Sequence, residues 1–240
     1  MIKAIFFDLY GTLAGFSPSR FEIQSQACAQ FNITLTEEGV LKGYKKADEY
    51  MTNQNASYPI RNRAPQEVDD FFSKYESLVL EGCEINVDLD IAASIWKEIR
   101  KIPYEMKIFD DVIESLKNLR YKNFRLGVLS NINKPGAELL KEFGLTDYID
   151  FSVTSYEVGS EKPHSPIFEE ALRRARVKNN EVFHIGDQIG SDIEGAENVG
   201  IYPILMDRDN NYENWDVSRC LRVANMLALE NILNDLGREI

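Results

Sequence analysis

The hydrophobic pattern divides this chain into two kinds of territory. Ile2 to Phe7 is apolar except for Lys3 and ends abruptly at Asp8, as expected of a strand buried on both faces. Gly11 follows, a residue that lets the backbone turn close to a ligand. From about Phe16 to Pro103 the apolar positions recur at helical spacing. One helix is expected from Pro18 to Phe31, with Ser17 as N-cap and Pro18 in the first helical position. A second follows Thr36, with Val40, Tyr44, Ala47 and Met51 on one face. A third follows Pro65 and carries Val68, Phe71, Phe72, Tyr75 and Val79. A fourth starts near Asp88 and lines up Ile91, Ile95 and Ile99. Asn53 to Ala64 is polar, contains Pro59 and reads as a loop. No strand signal appears in this block.

From Tyr104 helix and strand alternate. A helix follows Asp110, and a strand, Arg125 to Leu129, ends in Ser130-Asn131. A helix from about Lys134 stops at Gly144, and a strand from Ile149 to Thr154 leads into a long loop holding Lys162. Ser165-Pro166 opens another helix, and the strand Glu181 to Ile185 ends in Gly186-Asp187. Ser191 to Glu194 has the form of a capping box before a short helix that ends at Gly200. Ile201 to Met206 reads as a last strand, Asp207 to Asp216 as a surface loop, and Ala228 to Leu236 as a closing helix.

Such alternation predicts an α/β fold with a mainly parallel sheet flanked by helices. The expected core comprises residues 1–15 and 104–240. Residues 16–103 form an inserted all-helical domain, placed where it can act as a lid.

Composition narrows the classes. The chain has 240 residues, 44% of them hydrophobic, enough for a substantial core. No apolar stretch approaches the roughly 20 residues that span a bilayer, so no membrane partner is expected. Cys28, Cys83 and Cys220 are widely spaced, which fits a reducing cytoplasm better than a disulfide framework. A net charge of −12 argues against nucleic acid as a partner. It does not argue against a small anion, because a bound cation reverses the local field.

The chemistry gathers at strand ends. Asp8, Ser130 with Asn131, Lys162, and Asp187 with Asp192 each follow an apolar run, and the carboxyl edge of a parallel sheet is where ligands bind. Any one of them suits a turn or a cap. Together they suit phosphoryl chemistry. Clustered carboxylates repel one another, and Mg²⁺ relieves that repulsion while binding phosphate oxygens. Lys162 can hold Asp8 ionised and attract an anion, while Ser130 and Asn131 can donate to phosphoryl oxygens. An ionised Asp8 is a competent nucleophile toward phosphorus or carbon.

The stretches Phe7-Asp8-Leu9-Tyr10-Gly11-Thr12-Leu13, Leu129-Ser130-Asn131, Lys162-Pro163 and Gly186-Asp187 with Asp192 resemble, in order, the four motifs of the haloacid dehalogenase superfamily. The helical insert resembles that family's C1-type cap. The resemblance implies a Rossmann-like core and an Mg²⁺-dependent hydrolase in which Asp8 forms an aspartyl intermediate, with Lys162 steadying the charges. Ser130, Asn131 and Lys162 would bind substrate. Asp8, the backbone carbonyl of Tyr10, Asp187 and Asp192 would hold the metal, Asp192 through its water shell. The expected substrate is a small phosphorylated metabolite.

One position departs from the phosphatase pattern. Tyr10 stands where phosphatases of the family carry a second Asp as acid and base, a role commonly worth ~10²–10⁴ in rate. Tyr, with an unperturbed pKa of about 10, can give a proton but is a poor base. The Asp-x-Tyr-Gly-Thr form is also that of the 2-haloacid dehalogenase branch, which would attack carbon in a halogenated acid. That branch lacks Mg²⁺ and the Gly-Asp pair, both of which the pattern here favours. A weakly catalytic protein that binds Mg²⁺ and phosphate esters is the third reading. His184 reads as a packed, hydrogen-bonded histidine and His164 as a solvated loop residue. A homodimer through an apolar face of the insert is compatible with the sequence.

Overall fold

The computed structural model describes residues 1–212 and 215–238. The chain divides into two compact units, Met1–Gly15 with Lys107–Ile240, and Phe16–Met106. In chain order, β1 (Ala4–Phe7) is followed by the short β2 (Ala14–Ser17). The second unit then supplies α1 (Arg20–Ala29), α2 (Glu37–Ser57), α3 (Pro65–Glu81) and α4 (Leu89–Ile99). The chain returns through β3 (Glu105–Ile108), which pairs with β2 in a two-stranded sheet. There follow α5 (Val112–Tyr121), β4 (Arg125–Ser130), α6 (Gly136–Glu142), β5 (Phe151–Thr154), α7 (Ser155–Val158) and α8 (Ser165–Ala175). The chain closes with β6 (Val182–Gly186), α9 (Glu194–Asn198), β7 (Tyr202–Met206), β8 (Leu221–Val223) and α10 (Met226–Arg238).

Among the described residues, six strands form the main sheet in the order β5-β4-β1-β6-β7-β8. Every neighbouring pair in it is parallel. β1 lies inside the sheet and is buried along its whole length, which is why its sequence is a continuous apolar run. Phe7 is level with Val128 of β4 and with Ile185 of β6. The chain steps outward from β1 to β4 and β5, then crosses to the other side of β1 to begin β6. The order reverses there, and such a reversal opens a crevice at the carboxyl ends of the strands. Phe6, Leu129, Val153, Phe168 and Ala171 belong to one hydrophobic cluster, which ties α8 to the sheet beneath that edge.

The second unit has its own core. Ile23, Ala27, Val40, Leu80, Ile95 and Ile99 pack together, and the Phe72 and Trp96 rings stack at 4.4 Å. α3 begins with Pro65 at its first turn, and Thr36 and Asp88 cap α2 and α4 through their side chains, as the sequence predicts.

Several local expectations are corrected. α1 starts at Arg20, because Ser19 and Glu22 form a reciprocal capping box (2.8 and 3.2 Å) that outweighs the Pro18 signal; Ser17 belongs to β2. β2 and β3 escape the pattern because each has four residues at a junction between units. α2 runs through Asn53 to Ser57, so the loop is shorter than its polar composition suggests. Ile91 is exposed; the buried stripe of α4 is Ala92, Ile95 and Ile99. Ser191 does not cap a helix. Its hydroxyl donates to Gln188 Oε1 (2.9 Å) within a π-helical turn, Ile189–Ile193, that precedes α9. Asp207 is buried, not on a surface loop: it accepts the N–H groups of Asn211 and Tyr212 and pairs with Arg222 at 2.9 Å. Glu213 and Asn214 of that loop lie outside the described residues. No described helix is long and apolar enough to cross a membrane.

Candidate active site

Asp8 extends β1 by one residue, its N–H bonded to the Ile185 carbonyl of β6 at 2.8 Å. Its carboxylate therefore stands at the sheet edge, beside the reversal of strand order. Lys162 arrives from the loop between α7 and α8, and Asn131 holds it there. The Lys162 N–H donates to Asn131 Oδ1 (2.7 Å), and Asn131 Nδ2 donates back to the Lys162 carbonyl (2.9 Å). This two-point clamp lets a loop place a buried ammonium reproducibly.

The Lys162 Nζ donates to Asp8 Oδ1 at 2.5 Å, Asp192 Oδ1 at 2.7 Å and the Leu129 carbonyl at 3.1 Å. An ammonium has three donors, and all three are engaged. Among the described residues, the Lys162 ammonium and the Asn131 side-chain amide are thus both engaged within the site itself.

Asp192 is held on both oxygens. Oδ1 accepts from Lys162 and lies 3.0 Å from His184 Nε2, and Oδ2 accepts the Gln188 N–H at 3.1 Å. Burial works to raise its pKa, but Lys162 and His184 prevail and hold it well below the usual carboxylate range. Asp8 behaves oppositely. Burial raises it to about 7; Lys162 opposes that rise and the Asp192 charge adds to it. Burial would lower Lys162, yet Asp192 and Asp8 hold it above its ordinary value.

Asp187 follows β6 and completes an acidic cluster. One carboxylate oxygen from each of Asp8, Asp187 and Asp192 lies within 4.8 Å of the others. Three carboxylates against one ammonium leave a net negative site made only of hard oxygen donors, which fits a small divalent cation such as Mg²⁺. Asp8 and Asp187 suit direct ligation, and Asp192, already held on both oxygens by Lys162, His184 and the Gln188 N–H, suits a supporting role. Two glycines make room for the cluster. Gly11 has φ +83°, and a Cβ there would lie 2.3 Å from Asp187 Oδ2. A Cβ on Gly186 would lie 2.2 Å from Asp192 Cγ.

The Ser130 hydroxyl ends β4, one residue beyond the Leu129 carbonyl that receives Lys162. It is buried and finds no hydrogen-bond partner among the described residues. A buried hydroxyl in that state is poised for a bound ligand. The Tyr10 ring packs edge-on against Phe143 at 5.9 Å. His164 is exposed, as expected.

Three participants carry no role in the sequence reading. Thr12 presents a second buried hydroxyl without a partner among the described residues. Its carbonyl accepts Arg208 Nε (2.9 Å), and Arg208 in turn pairs with both Asp111 oxygens at 3.1 Å. His184 touches the cluster through Asp192. Thr12 lay inside a motif and His184 two residues before one, so proximity was the available signal.

A parallel sheet with Asp8, a buried lysine and an acidic cluster at its switch point fits a class of α/β hydrolases. The sequence matches the description haloacid dehalogenase-like hydrolase over residues 2–200, and the chain belongs to that family. It is 30% identical over 213 residues to a glyceraldehyde 3-phosphate phosphatase of Methanothermobacter thermautotrophicus, covering 87% of each chain. A ribulose-1,5-bisphosphate 5-phosphatase of Halopiger xanaduensis is 35% identical over 104 residues, 43% of this chain and 44% of the relative. In three dimensions, the HAD-hydrolase YfnB of Bacillus subtilis, solved bound to magnesium, superposes with a TM-score of 0.59 at 18% identity, over 97% of this chain and 99% of that one.

Proposed function

We propose that this chain is an Mg²⁺-dependent phosphatase of a small phosphorylated metabolite, acting through an aspartyl-phosphate at Asp8. The observation that carries the reading is the carboxylate cluster of Asp8, Asp187 and Asp192 with Lys162 bonded into it. Two relatives named as phosphatases of small phosphorylated compounds support the substrate class.

Lys162 holds Asp8 Oδ1, which leaves the other carboxylate oxygen for attack on phosphorus. A bond forms from that oxygen to phosphorus as the ester oxygen leaves. Water then attacks the acyl phosphate, releasing phosphate and restoring Asp8. The Ser130 hydroxyl donates to a phosphoryl oxygen during both steps. Tyr10 supplies the proton for the leaving group, and the phenolate it becomes takes a proton from the water that attacks in the second step. The cation would be held by Asp8, Asp187 and the Tyr10 carbonyl, with Asp192 behind them, and would neutralise charge on the phosphoryl oxygens. Choice of substrate is assigned to the helical insert, residues 16–103.

The rival dehalogenation keeps one supporting feature, Tyr10 itself, since a halide leaves without a proton. The acidic cluster has no use in that reaction. The test is phosphate release from p-nitrophenyl phosphate, whose leaving group scarcely needs protonation. Activity is expected to require both Mg²⁺ and Asp8, with Asp8→Asn folded and inactive. Appreciable turnover by folded Asp8→Asn would refute the aspartyl route, and an inactive wild type would direct attention to halide release from 2-haloacids.

A further inference from the structure

We propose that His184 is a positioning residue for this site: a neutral donor that fixes the Asp192 carboxylate so that it aims Lys162 at Asp8. The proposal deepens the phosphatase reading and rests on it.

The His184 side chain is fully buried on β6, two residues before Gly186, and its ring meets Phe168 edge-on at 5.3 Å. Its Nε2 lies 3.0 Å from Asp192 Oδ1, the same oxygen that receives Lys162 Nζ at 2.7 Å. Its Nδ1 is buried and finds no partner among the described residues. These facts determine the tautomer. Asp192 is an ionised acceptor, so Nε2 must carry the proton. A second proton on Nδ1 would bury an unpaired donor and a charge among apolar neighbours. The geometry therefore points to a neutral ring with its hydrogen on Nε2.

A neutral donor has a specific use here. Oδ1 of Asp192 needs a second partner to fix its direction, because Lys162 is also drawn toward Asp8 and Leu129. A cation in place of His184 would cancel part of the negative charge that the metal requires. An imidazole clamped by Phe168 supplies direction without charge. The Gln188 N–H on Oδ2 completes the fixation from the opposite side. Outer partners of this kind typically alter metal affinity or activity by 10–100-fold.

The experiment combines one direct observation with two variants. The ¹⁵N shifts of His184 in the whole protein at neutral pH report its tautomer; an Nε2-protonated neutral ring is expected, and an Nδ1-protonated ring would overturn the proposal even if no variant folds. His184→Met keeps bulk and removes the donor, whereas His184→Gln carries an amide nitrogen close to the Nε2 position. For folded His184→Met, kcat on p-nitrophenyl phosphate and calorimetric Mg²⁺ affinity are each expected to fall about 10–100-fold. KM should hold, and the unfolding temperature should not fall in proportion. His184→Gln should recover most of both losses. Wild-type kcat and Mg²⁺ affinity in folded His184→Met would refute the role. Mg²⁺ binding and the tautomer remain readable if the wild type proves not to be a phosphatase, so the two readings fail separately.

Discussion

Replacing Lys162 with Met tests the central arrangement most severely. The Lys162 side chain is 2% exposed, and its two carboxylate partners, Asp8 and Asp192, are 11% and 1% exposed. Solvent therefore screens little of what is lost. Met fills the volume of the stem but leaves two buried carboxylates facing each other. Breaking a buried pair from one side costs about 3–5 kcal/mol. At roughly 2–4 °C per kcal/mol for a domain of this size, the Mg²⁺-free protein should lose about 6–20 °C in unfolding temperature. The two carboxylates respond unequally. Asp192 keeps its bonds to His184 and the Gln188 N–H and stays ionised. Asp8 loses the cation that opposed both its burial and the Asp192 charge, so its pKa rises further. Without metal the nucleophile is then protonated at neutral pH, and because the proton competes with Mg²⁺ the acid limb of the kcat/KM profile moves to higher pH. Loss of an oriented charge at the reacting oxygen adds a fall in kcat of about 10²–10³. Thermal unfolding without Mg²⁺, followed by pH–rate profiles on p-nitrophenyl phosphate with it, measures both effects. An unchanged unfolding temperature together with an unmoved acid limb would refute the reasoning.

Two further outcomes follow from the buried acids. Asp8 is raised to about 7 without metal, so a proton and Mg²⁺ compete for it. Mg²⁺ affinity measured by calorimetry should rise by up to about tenfold per pH unit between pH 5 and 7 and then level off; affinity independent of pH over that range would exclude Asp8 as a ligand. In the helical unit, Glu76 is fully buried, accepts a hydrogen bond from Gln24 Nε2 and is raised to about 8, mainly by burial. A carboxyl with a raised folded-state pKa keeps its proton in the native state after the unfolded chain has lost it, so its stabilising contribution falls as pH rises from about 4.5 to 8. Glu76→Gln should flatten that slope in chemical denaturation and gain on the order of 1–3 kcal/mol at pH 8. A slope identical in wild type and variant would show that Glu76 is not its source.

The fold was legible wherever burial imposes a period. Ile2–Phe7, Leu126–Leu129 and Val182–Ile185 read as strands because both faces of a parallel sheet are covered, so the code is simply apolar. The four helices of the insert read from their stripes and caps. Errors arose where two signals competed within a few residues, as with Pro18 against the Ser19–Glu22 box. They also arose where an element was too short for a period, as with β2, β3 and β8. Asp8, Ser130 and Asp187 were legible as polar groups at the ends of apolar runs, and Lys162 and Asp192 as members of the motifs that accompany them.

What each of those groups does was decided by tertiary structure. The sequence determined that an acidic, lysine-bearing edge would exist at the ends of parallel strands, because strand periodicity and turn chemistry are local properties. It did not determine that Lys162 would spend all three donors on Asp8, Asp192 and Leu129, that Asn131 would clamp the Lys162 backbone, or that His184 would share an oxygen with Lys162. Those facts depend on which lone pairs remain once segments as far apart as residues 8 and 162 have met. Hydrogen-bond saturation is a property of the assembled site and has no period along the chain.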